Sequence, residues 1–382
     1  MRTAILDWFK DRAGEDGGSV SGAPQETARR GAAPGPAVVS PAPMRRARTA
    51  RMAEPLQPVP IPTPADLGVL VGARADGDPA EAVAIARLAD QLGYHEVMLG
   101  EATGHDAFAL GAAMGQGPAA LCLGPLPAGV RDPVTVARGA ASVAALTGRT
   151  VGIALAASTS TVVEEWHGRA RGVPATVVAE SASVLRGPRR DSGLLAGTPV
   201  DFAGALVRTR GFVCALPPSN ADLSVLAFGA ELTEVAVARA DRLIVPIGTV
   251  EHLARLRGRI QLAAERANRQ PPRLAVWVPV AVDPEEGTRR DMLRALMPYV
   301  RAAGFAGMFT EAGFGEIVRL ARSGAHVRSV VAAAPPEMLD SVAAVGSVTA
   351  VQAALGEYRA VGVDDVILVP HNAETLTALA AT

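Results

Sequence analysis

The sequence predicts a (β/α)8 barrel, an α/β fold in which eight parallel strands alternate with helices around a closed sheet. Eight short apolar runs occur along the chain, and each is followed by a stretch with helical patterning. Alternation at this spacing is typical of a parallel sheet, and eight units with a closing strand favour a barrel. The chain has 382 residues, of which 49% are hydrophobic. It therefore exceeds the ~250 residues that such a barrel needs.

A doubly wound sheet is the alternative α/β fold, and the first turn argues against its dinucleotide-binding form. That form carries Gly-x-Gly-x-x-Gly after the first strand, because the second glycine lets the backbone approach a pyrophosphate. Here the turn reads Gly72-Ala-Arg-Ala-Asp-Gly77, with Arg74 at the position of the second glycine. We therefore reject a Rossmann-type site.

The first half of the barrel is predicted from four apolar runs bounded by turn residues. The first helix, residues 78–92, begins with Asp78 as a cap and Pro79 at its first position, and it ends before Gly93. The strands of this half are placed at residues 67–71, 95–99, 119–123 and 151–156, and its other helices at 133–146 and 175–185.

The second half repeats the pattern but is interrupted twice. Its strands are placed at residues 223–227, 242–245, 273–280 and 363–369, and its helices from 231, at 250–268, near 350–360 and at the C-terminus. Residues 198–215 resemble a hairpin or an irregular insertion. Residues 285–345 are predicted to be a long helical insertion.

Residues 1–65 are predicted to be a disordered tail that precedes the domain at 66–382. The tail is rich in Pro, Ala, Gly and Arg, and such a segment buries too little apolar surface to offset its ordering entropy. Its basic cluster at 44–52 could touch an anionic partner, although a solvated linker is the favoured interpretation. Met44 and Met52 are alternative start positions.

Composition narrows the partners and the compartment. The net charge of -1 provides no field that would attract nucleic acid or an anionic membrane. No apolar run reaches the ~18 residues needed to span a bilayer. Cys122 and Cys214 both lie in apolar runs, which predicts buried thiols rather than a disulfide and favours a reducing, cytoplasmic location.

Candidate site residues follow the strands at their carboxyl ends, because the loops of a parallel barrel converge on that face. After the fourth strand, Trp166 offers a broad apolar face and His167 a donor or acceptor near neutral pH. An ordinary solvated loop is the alternative interpretation there. The predicted site residues are Glu101, Asp106, Gly124, Pro125, Leu126, Ala157, Ser158, Trp166, His167, Phe228, Gly229 and Ala230. The histidines and cysteines show no metal-ligand spacing.

Several of these segments together resemble a known family. Gly148-Arg149, the strand that follows and Val-Glu-Glu-Trp-His-Gly-Arg at 163–169 are similar to the luciferase-like monooxygenase superfamily, as are Arg131-Asp-Pro133 and the closing segment 358–370. The closest resemblance is to the actinobacterial oxidoreductases that use the deazaflavin coenzyme F420. It covers roughly residues 66–382.

The resemblance implies a bacterial-luciferase-like barrel that exchanges a hydride between coenzyme F420 and a small organic substrate. It implies that the cofactor ring lies over a bulge at residues 124–126 and that its phosphate is held at 228–230. Ser158 and Ala157 would contact the cofactor, Trp166 and His167 would close over it, and Glu101 and His167 would be the catalytic residues. A homodimer is a compatible assembly.

Two alternatives accompany this interpretation. The first is an FMN-dependent luciferase-like monooxygenase. The second is a cofactor-free relative that acts as a binding protein, because Ala102, Ala154 and Ala156 stand where the family often has histidine or glycine.

Overall fold

The computed structural model describes residues 61–72, 78–101, 105–189, 191–217, 221–285 and 287–381. The predicted disordered tail lies outside the described residues except for 61–65, and so do both alternative start positions. At the junction between the predicted tail and the barrel, Pro64–Asp66 forms a 3₁₀ turn that leads into the first strand.

Eight parallel strands form a closed barrel, which confirms the predicted fold class. In barrel order they are β1 (Leu67–Val71), β2 (Glu96–Leu99), β3 (Ala120–Pro127), β4 (Val151–Ala156), β7 (Leu223–Leu226), β8 (Arg242–Val245), β9 (Arg273–Val282) and β11 (Asp365–Pro370). Pairing of β11 with β1 closes the sheet, with Leu67 opposite Val366. A further short strand, β10 (Ala344–Gly346), adds to the edge of β9 beyond the barrel.

Helices surround the barrel, and most begin at a side-chain cap. They are α1 (Pro79–Gln91), α2 (Ala107–Ala113), α3 (Pro133–Thr147), α4 (Pro174–Leu185), α5 (Ala230–Arg239), α6 (Val250–Arg266), α12 (Val348–Ala360) and α13 (Ala373–Ala380). No bounds were predicted for helix α2, because it is short and contains Gly111. A Cβ there would lie 2.9 Å from the side chain of Leu123, so the glycine lets α2 approach β3 closely. None of the described helices is long and apolar enough to cross a membrane.

Residues 198–215 contain a two-stranded antiparallel hairpin, β5 (Val200–Ala203) and β6 (Arg208–Phe212). Glu180 on α4 holds the hairpin turn, because its carboxylate accepts hydrogen bonds from the backbone N–H groups of residues 205–207 at 2.7–2.8 Å. These three bonds act against the burial of Glu180 and lower the pKa of its carboxyl group.

The described part of residues 285–345 contains five α-helices and a π-helical turn, Thr310–Phe314, with an apolar core of their own. The α-helices are α7 (Thr288–Arg301), α8 (Ala303–Phe309), α9 (Gly315–Arg322), α10 (Val327–Ala333) and α11 (Pro336–Asp340). Ile247, which follows β8, and Ala281 near the end of β9 belong to the same apolar cluster. The helical segment therefore packs against the carboxyl ends of β8 and β9.

The amino-terminal end of the barrel interior is filled by an ion-pair network around Arg242. This side chain is 2% exposed and donates to both carboxylate oxygens of Glu96 at 2.9 Å, and to the Ser224 hydroxyl at 3.0 Å. Asp365 lies 3.4 Å from the same guanidinium. Above the network, the interior is apolar.

Cys122 lies in that apolar interior, and burial raises the pKa of its thiol to about 12. Both cysteines are free, but Cys214 is only partly buried, so the prediction of two buried thiols was wrong for that residue. Its run, residues 212–216, leaves the hairpin at the surface instead of entering the core.

Candidate active site

Ser158 has an unusual environment at the carboxyl face of the barrel. It follows β4, is 7% exposed and has a φ of 64°, a left-handed conformation that is uncommon outside glycine. Its hydroxyl oxygen is buried and has no hydrogen-bond partner among the described residues. Buried hydroxyl groups are normally bonded, so the lack of a partner in the described structure is unusual. Its neighbour Ala157 is partly buried against the core.

Strand β3 carries the predicted bulge. Its register with β4 shifts between Leu123 and Leu126, Gly124 has a φ of 128°, and the peptide bond from Gly124 to Pro125 is cis. The side chain of Leu126 is fully buried in the core between the sheet and the helices. The surface that the bulge presents to the mouth is therefore mainly backbone and Pro125.

Glu101 and Asp106 are joined by Arg131. The guanidinium group donates to both oxygens of Glu101 at 2.9 and 2.6 Å and to Asp106 at 2.5 Å. The same group lies 5.3 Å from the ring centre of Phe108. The bond to Glu101 is the main cause that raises the pKa of Arg131. The loops after β2 and β3 are thus held together by one cation.

Asp106 also has a structural role, because its carboxylate caps α2 by accepting from the Ala109 N–H at 2.9 Å. Burial alone would raise the pKa of this carboxyl group, but the hydrogen bonds from Arg131 and from the backbone outweigh it and lower the pKa. Asp106 therefore stays ionised at neutral pH. Arg131 was not among the predicted site residues, because its position two residues before α3 gave no sign of a partner 30 residues earlier.

The loop after β4 forms a π-helical turn, Thr161–Trp166. Within this turn, the side chains of Val162 and Val163 are buried. Trp166 is 49% exposed, and His167 is exposed. Arg169 anchors the end of the loop by donating to the Val130 carbonyl at 2.7 Å. The loop is thus fixed at its base while Trp166 and His167 remain in contact with solvent. Closure of these two side chains over a ligand stays a prediction.

Trp166→Ala is expected to weaken cofactor binding about tenfold, because a ring contact of ~1.4 kcal/mol would be lost on closure. The melting temperature is expected to stay unchanged, since the side chain is half exposed.

His167→Ala is expected to lower turnover. The matched control is Glu164→Gln, an exposed change in the same turn. Unchanged affinity and turnover in both variants would show that the loop is an ordinary surface loop.

The start of α5 is open to solvent. Gly229 precedes the helix with a φ of 87° and provides no side-chain cap, and Ala230 is exposed. Phe228 turns away from the helix start and stacks on Phe305 of α8, with 22° between the rings. Because the first N–H groups of a helix carry a partial positive charge, this end suits a phosphate.

The fold places the chain in the class of parallel α/β barrels, with a buried serine hydroxyl, a bulged strand and an uncapped helix start at the carboxyl ends of its strands. The chain belongs to the luciferase-like monooxygenase family, whose family model matches residues 61–365. Members of this family are oxidoreductases or monooxygenases.

Solved structures with the same fold include proteins with either of two cofactors. The coenzyme F420 dependent tetrahydromethanopterin reductase from Methanopyrus kandleri has a TM-score of 0.68 at 16% identity, covering 82% of this chain and 96% of that chain. An F420-dependent secondary alcohol dehydrogenase in complex with an F420-acetone adduct has a TM-score of 0.65 at 16% identity, covering 83% and 97%.

The oxygenating constituent of 3,6-diketocamphane monooxygenase from Pseudomonas putida, in complex with FMN, has a TM-score of 0.57. It is 15% identical, over 83% of this chain and 96% of that chain. No curated protein matches the sequence. At these identities the likeness shows the fold.

Proposed function

We propose that this protein is an oxidoreductase that transfers a hydride between coenzyme F420 and a small organic substrate. The observation that carries the proposal is the buried Ser158 hydroxyl, which has no partner in the described structure and lies at the carboxyl end of β4. A buried donor in a strained backbone is typical of a site that a ligand completes.

Three groups fit a flat, phosphate-bearing cofactor. The Ser158 hydroxyl and the backbone of the bulge around Gly124 and Pro125 would contact the ring. The N–H groups at the start of α5, beyond Gly229, would hold the phosphate. When bound, F420 supplies a ring position that accepts or releases a hydride, and the protein supplies orientation and exclusion of water.

A substrate that gains or loses a hydride also gains or loses a proton. We assign that proton to His167, whose imidazole can donate or accept near neutral pH. Glu101 is the second predicted catalytic residue. Because both of its carboxylate oxygens accept hydrogen bonds from Arg131, its role is to hold charge and geometry at the mouth. The proposed substrate is a small organic molecule, as the family resemblance implies.

The FMN-dependent monooxygenase is the second candidate. Support for F420 over FMN comes from the two F420-dependent structures, which have TM-scores of 0.68 and 0.65 against 0.57 for the FMN complex. A cofactor-free binding protein is the third candidate, and it is less favoured because members of the family are oxidoreductases or monooxygenases.

Titration of the full-length protein with F420 and with FMN, followed by ligand fluorescence, tests the proposal. We expect saturable F420 binding and FMN binding at least tenfold weaker. Ser158→Ala is expected to weaken F420 binding about tenfold, the loss of one hydrogen bond of ~1.4 kcal/mol. The free protein is not expected to lose stability, because that hydroxyl has no partner in the described structure.

Ser160→Ala is the matched control, since Ser160 is an exposed serine two residues along the same turn. It is expected to keep the affinity of the unaltered protein. Failure of both F420 and FMN to bind would favour the cofactor-free protein, and tighter FMN binding would favour the monooxygenase.

A further inference from the structure

Trp277 is a large side chain inside the barrel that carries one polar group, the indole N–H. It was not among the predicted site residues. It lies on β9, is 5% exposed and belongs to the interior apolar cluster of the barrel. Its indole N–H group is buried and has no hydrogen-bond partner in the described part of the chain. Buried tryptophan N–H groups usually find an acceptor, so this one requires an explanation.

Among the described residues, the interior around Trp277 is apolar. The cluster around Trp277 includes Ala154, Ala156, Ile244 and Ile367, whose side chains are hydrocarbon. The polar groups of the interior lie at the opposite end, where the Arg242 network occupies the first positions of the strands.

The register of the sheet places Trp277 towards the mouth. Arg273, at the start of β9, is level with Arg242, and Ala275 is level with Ile244. Trp277 is the next interior position in the carboxyl direction. It therefore lies in the upper layer of the apolar filling, where the interior faces the loops that carry the site.

Ser158 lies on the other side of the same mouth. It follows β4, which is three strands from β9 around the barrel. Two buried hydrogen-bonding groups without partners in the described structure thus lie on, or just after, strands of one barrel, towards its carboxyl end. Neither polar atom is exposed, so a ligand with acceptor oxygens on a flat ring would satisfy both after rotation of the two side chains towards it.

We propose that the Trp277 indole N–H donates a hydrogen bond to an acceptor oxygen of the ring of the bound cofactor. This inference rests on the proposed function, because it takes a deazaflavin or flavin ring as the occupant of the barrel mouth. Trp277 is then a cofactor-binding residue on the side of the barrel opposite the bulge of β3. Carbonyl groups on such rings are suitable acceptors.

Two variants separate the hydrogen bond from the packing. Trp277→Phe keeps an aromatic ring but removes the N–H, and incorporation of benzothienylalanine at 277 removes the N–H at nearly constant shape. Both are expected to weaken F420 binding about tenfold, the loss of one hydrogen bond. Ile367→Val is the packing control, since Ile367 is opposite Trp277 in the sheet and is expected to keep its affinity.

Tryptophan fluorescence provides a readout that does not depend on activity. The chain has three tryptophans, and Trp8→Phe with Trp166→Phe leaves Trp277 as the only one. Saturation with F420 is expected to quench this emission strongly. Unchanged F420 affinity in the benzothienylalanine protein, or unquenched Trp277 emission at saturation, would overturn the inference while leaving the proposed function intact. Absence of F420 and FMN binding in the unaltered protein would instead overturn the proposed function.

Discussion

Arg242→Ala is expected to destabilise the protein by about 3–5 kcal/mol, because removing one partner of a buried ion pair leaves an uncompensated charge. The guanidinium group is 2% exposed and is bonded to both oxygens of Glu96. Its loss would leave Glu96 without a partner and Asp365 with Arg273 alone. Urea unfolding followed by circular dichroism measures the free energy of unfolding.

Arg273→Ala is the matched control for Arg242→Ala. Arg273 also begins a barrel strand and pairs with Asp222 and Asp365, but its side chain is 44% exposed. Because exposed ion pairs contribute little, its loss is expected to cost about 1 kcal/mol or less. The double variant Arg242→Met with Glu96→Gln is expected to recover part of the stability. Equal losses in Arg242→Ala and Arg273→Ala would show that the network does not support the barrel end.

The barrel could be predicted because each of its strands is a short apolar run between turn residues, and several predicted bounds agree with the structure within one or two residues. Strand β3 is longer than predicted. Its pairing resumes at Leu126 after the bulge, and this depends on the register with β4 rather than on any local pattern. Strand β10 has three residues and gives no periodic signal.

The site was less predictable, because its side chains meet across long stretches of sequence. The same holds for the Arg242 network at the other end of the barrel, whose carboxylate partners lie 146 and 123 residues away with no local pattern to connect them. Arg131 and Glu101 are likewise paired by the barrel rather than by sequence spacing. Trp277 was missed for another reason. On a strand that is buried on both faces, a tryptophan is predicted to be an ordinary core residue. Only the three-dimensional structure shows that its N–H group has no acceptor among the described residues.

The glycine of the β3 bulge is the position at which fold and proposed function depend most directly on one residue. Gly124 has a φ of 128°, which side chains rarely adopt, and a Cβ there would collide with the Ala154 carbonyl oxygen and lie 2.7 Å from the Leu126 nitrogen. Both obstacles are backbone atoms, so no side chain can rotate away. The bulge is where the ring of the proposed cofactor would lie.

Gly124→Ala is expected to cost about 2–6 kcal/mol, since the backbone conformation and the collision each contribute about 1–3 kcal/mol. F420 binding is expected to be lost as the bulge shifts. Gly115→Ala separates the two contributions, because Gly115 also has a positive φ, 67°, but a Cβ there meets nothing within 4 Å. It is expected to cost about 1 kcal/mol and to keep F420 binding. Urea unfolding and F420 titration of both variants provide the comparison. Equal losses of stability in the two variants would show that the backbone at Ala154 and Leu126 shifts to accommodate the added methyl group. Retained F420 binding in Gly124→Ala would place the cofactor ring away from the bulge.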